Sequence, residues 1–199
     1  MCWKKWLTNL VLAIVIQGAM ATFVAAHGLS TPEISGRGGD FTLRSWDGPV
    51  SLKQFRGKVV LLFFGYTSCP DVCPMTLSVL SNVFSKLEAQ EQEKVTALFV
   101  SLDPDRDTPE LLRKYTDYFH PNIIGVTDRI EVINQIAEDY GVAYERKNIS
   151  SSPIGYVINH TLDLLVIDAQ GHLLDTRIEP ATSTEDIVAY IRNLLGNHP

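Results

Sequence analysis

Cysteine is scarce in this chain: three occur in 199 residues, at positions 2, 69 and 73, too few for a disulfide framework. Folding therefore rests on a hydrophobic core, which a chain of this length with 45% hydrophobic residues can build. Basic charge is also short. Seventeen Lys and Arg stand against 23 Asp and Glu, for a net charge of −6 and a pI of about 5.3. No basic patch is apparent, which excludes a nucleic-acid partner because binding the phosphate backbone requires one. No internal repeat is visible, and a single globular domain is expected after the N-terminal segment.

What is present is an abrupt change of character at residues 59–74. Val59–Phe64 is a continuous β-branched and aromatic run, the pattern of a strand buried on both faces of a sheet, and Gly65 ends it. Apolar residues then recur at helical spacing (Met75, Leu77, Val79, Leu80, Val83, Phe84, Leu87), predicting a helix over about 74–89. Pro74 suits its first turn, where the missing N–H is not needed. Cys69 and Cys73 thus lie between a strand end and a helix start. Free N–H groups and the helix dipole there favour a thiolate and lower its pKa from about 8.5. A thiolate is both a nucleophile and a soft-metal ligand. Three residues separate the pair, one more than in C-x-x-C, so the sulfurs can close a disulfide or share one metal ion, and spacing leaves both open. A merely stabilising disulfide is disfavoured, since so short a loop constrains the unfolded chain little.

Met1–Ala26 carries Lys4 and Lys5, the apolar Leu10–Ile16 and the small residues Val24-Ala25-Ala26, an export pattern. It fits a signal peptide cleaved after Ala26 or, because Leu7–Ala26 is close to the roughly 20 residues that span a bilayer, an uncleaved inner-membrane anchor. In both cases the lysines are expected to stay cytoplasmic and the domain to lie on the periplasmic side, or in the equivalent compartment of an organelle. Residues 27–40, with Pro32, Ser35, Gly36, Gly38 and Gly39, read as a linker, and the domain is expected over 41–199.

Phe41-Thr-Leu and Val50-Ser-Leu flank Trp46-Asp47-Gly48-Pro49, a hairpin signal with Asp47-Gly48 as its turn. Lys94–Leu102 reads as a second buried strand that runs into Asp103-Pro-Asp-Arg-Asp-Thr-Pro109. There Thr108 is expected to N-cap a helix over Leu111–Phe119 with Pro109 in its first position, while Asp103, Asp105, Arg106 and Asp107 fix the loop by ion pairing. Ile123–Val126 is a short strand, Ile130–Tyr140 a helix stopped by Gly141, Val142–Lys147 a further strand and Asn148–Pro153 a mobile loop. Tyr156–His160 precedes a hairpin of Leu162–Asp168 and His172–Ile178 around Ala169-Gln170-Gly171, and Ser183 or Thr184 caps a last helix, Ile187–Leu195. Strands alternating with helices and then a hairpin predict an α/β fold, a central mixed sheet flanked by helices with an N-terminal β-hairpin.

A strand ending in a two-cysteine loop at a helix start, with later hairpin strands, is similar to the thioredoxin-like fold. More specifically, the chain resembles the SCO/SenC family of copper-binding proteins that assist cytochrome c oxidase assembly. The matching stretches are Phe55-Arg-Gly-Lys-Val-Val-Leu-Leu-Phe-Phe-Gly-Tyr-Thr-Ser-Cys-Pro-Asp-Val-Cys-Pro74, the Asp103–Pro109 loop, and His160-Thr161 before a strand; the likeness covers about residues 40–195. It implies a thioredoxin-like copper-binding domain with Cys69, Cys73 and His160 as ligands of a copper ion. It also implies delivery of copper to a cytochrome c oxidase subunit that carries a copper site, with an upstream copper donor and a thiol reductant as further partners. Two thiolates and an imidazole suit Cu(I). The residues alone would not have chosen His160 over His27, His120, His172 or His198. The family often has Asp before this histidine, whereas this chain has Asn159, so an anionic neighbour of the imidazole is missing. The cis-proline that faces the dithiol of thioredoxin itself has no counterpart at Asn159-His160-Thr161.

Two functions compete. A copper metallochaperone binds and transfers metal and needs His160. A thiol–disulfide oxidoreductase, with Cys69 and Cys73 as its redox-active pair, needs one attacking and one resolving cysteine and can dispense with the histidine. A peroxiredoxin-like peroxidase ranks third, because a paired C-x-x-x-C loop favours reversible disulfide chemistry over a lone peroxidatic thiol.

Overall fold

A computed structural model describes residues 34–149 and 154–196; the export segment, His27, His198 and most of the Asn148–Pro153 loop lie outside them. The apolar run becomes β3 (Val59–Gly65), buried at every position, and pairs in parallel with the equally buried β4 (Val95–Ser101). These strands form the centre of a five-stranded sheet. β5 (Ile123–Val126) continues it in parallel beyond β4, and β8 (Leu164–Ile167) with β9 (Leu173–Ile178) extends it antiparallel on the other side of β3. The order β5-β4-β3-β8-β9 is the mixed sheet expected from the alternation of elements.

Helices α1 (Val72–Lys86), α3 (Pro109–Phe119) and α5 (Thr184–Leu194) pack on one another, α1 touching both, and α4 (Ile130–Asp139) returns after β5. Thr108 caps α3 by accepting from the Leu111 N–H at 3.3 Å, and Ser183 caps α5 by accepting from Asp186 at 3.1 Å. Gly141, at φ 65°, ends α4 in the left-handed conformation that a Cβ disfavours. Among the described residues no helix is long and apolar enough to cross a membrane.

The helix expected over 74–89 is shifted. It begins at Val72, so Cys73 lies inside its first turn, because Pro74 is tolerated at any position there that donates no backbone bond. It stops at Lys86, after which Glu88 starts a separate single turn, α2 (Ala89–Gln92), whose Glu91 accepts from the Glu88 N–H at 2.8 Å. The N-terminal hairpin of β1 (Thr42–Ser45) and β2 (Gly48–Ser51) forms, but Ser45 pairs with Gly48, so its tight turn is Trp46-Asp47 rather than Asp47-Gly48. Part of the expected linker lies along the edge of the sheet: Ile34 bridges Leu174, the Gly38 N–H donates to Asp139 O at 2.9 Å, and the Tyr140 hydroxyl donates to Gly39 O at 2.6 Å. Among the described residues, β6 (Tyr144–Asn148) and β7 (Tyr156–His160) pair only with each other, as an antiparallel hairpin outside the main sheet.

Candidate metal centre

The loops that follow β3 and β4 leave the same edge of the sheet, as loops after adjacent parallel strands must, and functional groups gather at such edges. The first carries Cys69, half-buried, with its N–H donating to Tyr66 O at 3.3 Å, and continues into α1, where Cys73 is fully buried. Gly65 leaves room for this second sulfur: a Cβ there would lie 2.9 Å from Cys73 Sγ and 2.7 Å from Phe99. The third group arrives from β7. His160 Nε2 stands 3.6 Å from Cys73 Sγ, and the donor atoms of Cys69, Cys73 and His160 all lie within 4.8 Å of one another. Both cysteines are free thiols.

His160 is oriented from two sides. Its Nδ1 is 2.7 Å from Thr161 O; a carbonyl only accepts, so this nitrogen carries a hydrogen, and Nε2, which faces the sulfurs, is the nitrogen left for a metal. The ring packs edge-on against Phe63 and Tyr66, each centroid 6.1 Å away. Asn159 is exposed and pairs across the hairpin with Glu145, and the imidazole donates its Nδ1 hydrogen to the backbone carbonyl of Thr161 rather than to a carboxylate at 159.

The two thiols differ in acidity: the expectation that the helix start lowers a thiol pKa holds for Cys69 and is reversed at Cys73. The Cys69 pKa is lowered, first by the hydrogen bond from Cys73 and further by His160 and backbone N–H groups, against the opposing effect of burial. That of Cys73, the residue inside the helix, is raised by the same bond and by its burial. Of the two, the outer sulfur is the readier thiolate and the inner one the thiol that donates to it.

The Asp103–Pro109 loop divides its labour in a way the residue types did not reveal. Asp103 pairs with Arg106, and Asp105 pairs with Arg146 of β6 at 3.0 Å, both as ion pairs. Asp107 is fully buried and instead accepts from Thr67 N at 2.9 Å, Thr67 Oγ1 at 2.5 Å and Ser101 Oγ at 2.6 Å. It thereby ties the thiol loop to the end of β4. The Tyr66 hydroxyl accepts from the Ile158 N–H of β7 at 3.3 Å, joining the thiol loop to the histidine strand. Asp107 is expected from the sequence to fix its own loop by ion pairing, not to reach the thiol loop through neutral donors, and Tyr66, an aromatic after a strand, is ordinary in itself. His120 stacks on Phe84 at 4.7 Å, and His172 pairs with Asp168 at 3.2 Å; each has a partner away from the thiols.

Two thiols and an imidazole converging at the edge of a thioredoxin-like sheet define a soft-metal or dithiol redox protein. The chain belongs to the SCO1/SenC family, which it matches over residues 31–196. It is 34% identical over 139 residues to the mitochondrial protein SCO2 of Saccharomyces cerevisiae, covering 69% of this chain and 46% of that one. A SCO2-like protein of Rickettsia felis is 33% identical over 138 residues, covering 69% of this chain and 67% of the relative. The chain thus spans less than half the length of the yeast protein it matches. Among solved structures, apo Sco1 of Thermus thermophilus is 38% identical with a TM-score of 0.73, over 85% of this chain and 95% of that one. Copper-bound ScoI of Bradyrhizobium japonicum is 31% identical with a TM-score of 0.72, over 80% of this chain and 99% of that one.

Proposed function

We propose that this protein binds one copper ion through Cys69, Cys73 and His160 and delivers it to a copper-bearing subunit of cytochrome c oxidase during assembly. The observation that carries the reading is the convergence of two sulfurs and an imidazole nitrogen within 4.8 Å. Metal–sulfur bonds of about 2.3 Å and metal–nitrogen bonds of about 2.0 Å place the donors around one ion roughly 3.5–4 Å apart, a separation this site reaches with small side-chain movements. Sulfur donors select soft Cu(I) over harder ions. Copper-bound relatives of the same fold support the assignment, and membership of the family supports the delivery role. We place the domain outside the cytoplasm, on the strength of Lys4 and Lys5 ahead of an apolar segment.

Within this reading, the chain's groups have distinct duties. Cys69 supplies a thiolate at the surface, where a recipient's ligands can reach the ion. Cys73 releases its proton on metal binding, because a thiolate, not a thiol, is the ligand. His160 adds a neutral nitrogen and leaves when the ion is passed on.

One observation favours the second reading, a thiol–disulfide oxidoreductase acting on an exported partner. The half-exposed thiolate at Cys69 backed by a buried thiol at Cys73 is the polarity of an attacking and a resolving cysteine. His160→Ala separates the two. Copper affinity of the reduced protein should fall by at least about tenfold, since losing one ligand costs more than about 1.4 kcal/mol, while the disulfide still forms. If oxidase assembly then fails in cells, copper delivery is the function; normal assembly with weakened copper binding supports the reductase.

A further inference from the structure

The two halves of the site hang from different strands. The thiol loop hangs from the main sheet and is pinned by Asp107. His160 is carried on the β6–β7 hairpin, which shares no ladder with that sheet. Among the described residues, the hydrogen bonds from hairpin to body run through side chains, so something outside backbone pairing must set its position.

Tyr156 is the densest of these attachments. The Arg106 guanidinium lies 3.7 Å from its ring centroid and that of Arg146 lies 3.4 Å from it. Two groups so close to one centroid cannot share a face, so the ring is sandwiched between them. Its hydroxyl donates to Asp103, a carboxylate 3% exposed, at 2.6 Å, and Asp103 in turn pairs with Arg106. Arg106 also donates to Ile154 O at 3.2 Å and Tyr156 O at 3.4 Å, while Arg146 is tied back to Asp105. The alternation of a strand puts Tyr156, Ile158 and His160 on one face of β7. Tyr156 is fixed at one end of this row and Ile158 is buried in the middle with its N–H on Tyr66, so the row delivers the imidazole at the other end, about 13 Å along the strand.

We propose that Tyr156, clamped between Arg106 and Arg146, is the positioning residue that sets His160 against the thiols, an inference that rests on the copper reading above. Its effect reaches the imidazole along β7, while Asp107 holds the thiol loop from the same 103–107 turn, its N–H donating to Asp103 O at 2.9 Å. A residue with a general structural role would weaken both halves of the site.

The test uses the full chain, reduced, with Cu(I) affinity measured by competition against a chromophoric chelator. Tyr156→Leu removes the ring and the hydroxyl; Tyr156→Phe keeps the ring between the guanidinium groups and loses the bond to Asp103. Supporting groups of metal ligands typically matter by 10–100-fold, so affinity should fall by about tenfold in Tyr156→Leu and by about threefold in Tyr156→Phe. Combined with His160→Ala, either substitution should lower affinity no further than His160→Ala alone, to within about twofold. The alkylation rate of Cys69 should stay within about threefold of the parent, since Cys73 and the backbone N–H groups still stabilise its thiolate and only the lesser contribution of His160 changes. Unchanged affinity in both Tyr156 variants, losses that add to that of His160→Ala, or slowed alkylation in Tyr156→Phe would each overturn the inference. If Tyr156→Leu does not fold, the Tyr156→Phe cycle decides. Failure of the copper reading shows differently: the parent binds no copper, or His160→Ala binds it as well as the parent, and the positioning role falls with it.

Discussion

Replacing Gly65 by Ala adds one methyl group at the end of β3, and the space for it is already taken. The new Cβ would lie 2.7 Å from Phe99 Cε2, 2.9 Å from Cys73 Sγ and 3.3 Å from Phe63 Cε1. Relaxed carbon contacts are about 3.5–4.0 Å, so the overlap with the first two is roughly 0.6–1.3 Å. Neither neighbour has slack, since Phe99 and Cys73 are both 0% exposed and Phe99 stacks on Phe63. Backbone strain plays no part, because Gly65 sits in ordinary strand geometry as the last residue of β3. Overpacking of this kind costs about 1–3 kcal/mol. At roughly 2–4 °C per kcal/mol for a domain of this size, Tm should drop by about 2–12 °C. The sulfur is the more displaceable neighbour, and it must move within a cluster where it stands 3.6 Å from His160 Nε2, so copper affinity should fall as well. Thermal unfolding of the reduced, metal-free protein by circular dichroism measures the first effect and chelator competition the second. A variant with the parent's Tm and the parent's copper affinity would show that Gly65 does not set the space for the inner sulfur.

Two further outcomes follow from the thiol pair and its anchor. With the Cys69 pKa lowered and that of Cys73 raised, the thiolate population at about pH 6, well below the ordinary thiol value of about 8.5, belongs to Cys69. Iodoacetamide at that pH should therefore label Cys69 first, as read by peptide mass spectrometry; equal labelling, or reaction that starts only above about pH 8, would refute the assignment. Asp107→Ala strands the Thr67 N–H and two hydroxyls that now donate to a buried carboxylate, which should destabilise the fold by about 3 kcal/mol or more in urea unfolding; a loss below about 1 kcal/mol would show that the anchor is dispensable.

Much of the framework was legible because its causes are local. Val59–Phe64 carries its burial in its composition, and it forms the central strand of the sheet. Thr108 and Pro109 start α3, and Gly141 stops α4, through hydrogen bonds and dihedral preferences that act within a few residues. The boundaries of α1 and the register of the first hairpin were less legible, because one Pro fits several first-turn positions and either of two residue pairs can close a tight turn. The composition, the scarcity of cysteine and the C-x-x-x-C loop likewise determined by themselves that any thiol chemistry belongs to Cys69 and Cys73.

Only the tertiary structure decided which of the distant groups join them. His160 lies 87 residues beyond Cys73, and nothing in its neighbourhood distinguishes it from a structural histidine until the β6–β7 hairpin folds it over the thiols. The same holds for Asp107 and Tyr156, whose partners are 40 and 53 residues away in sequence at Thr67 and Asp103. The unequal acidity of the two cysteines is likewise a property of contact and burial: their sulfurs share a hydrogen bond but differ in exposure, and no spacing rule specifies which is the more acidic. Local order follows from side-chain shape and backbone preference over a few bonds, whereas a ligand set follows from where the packed sheet brings its loops together.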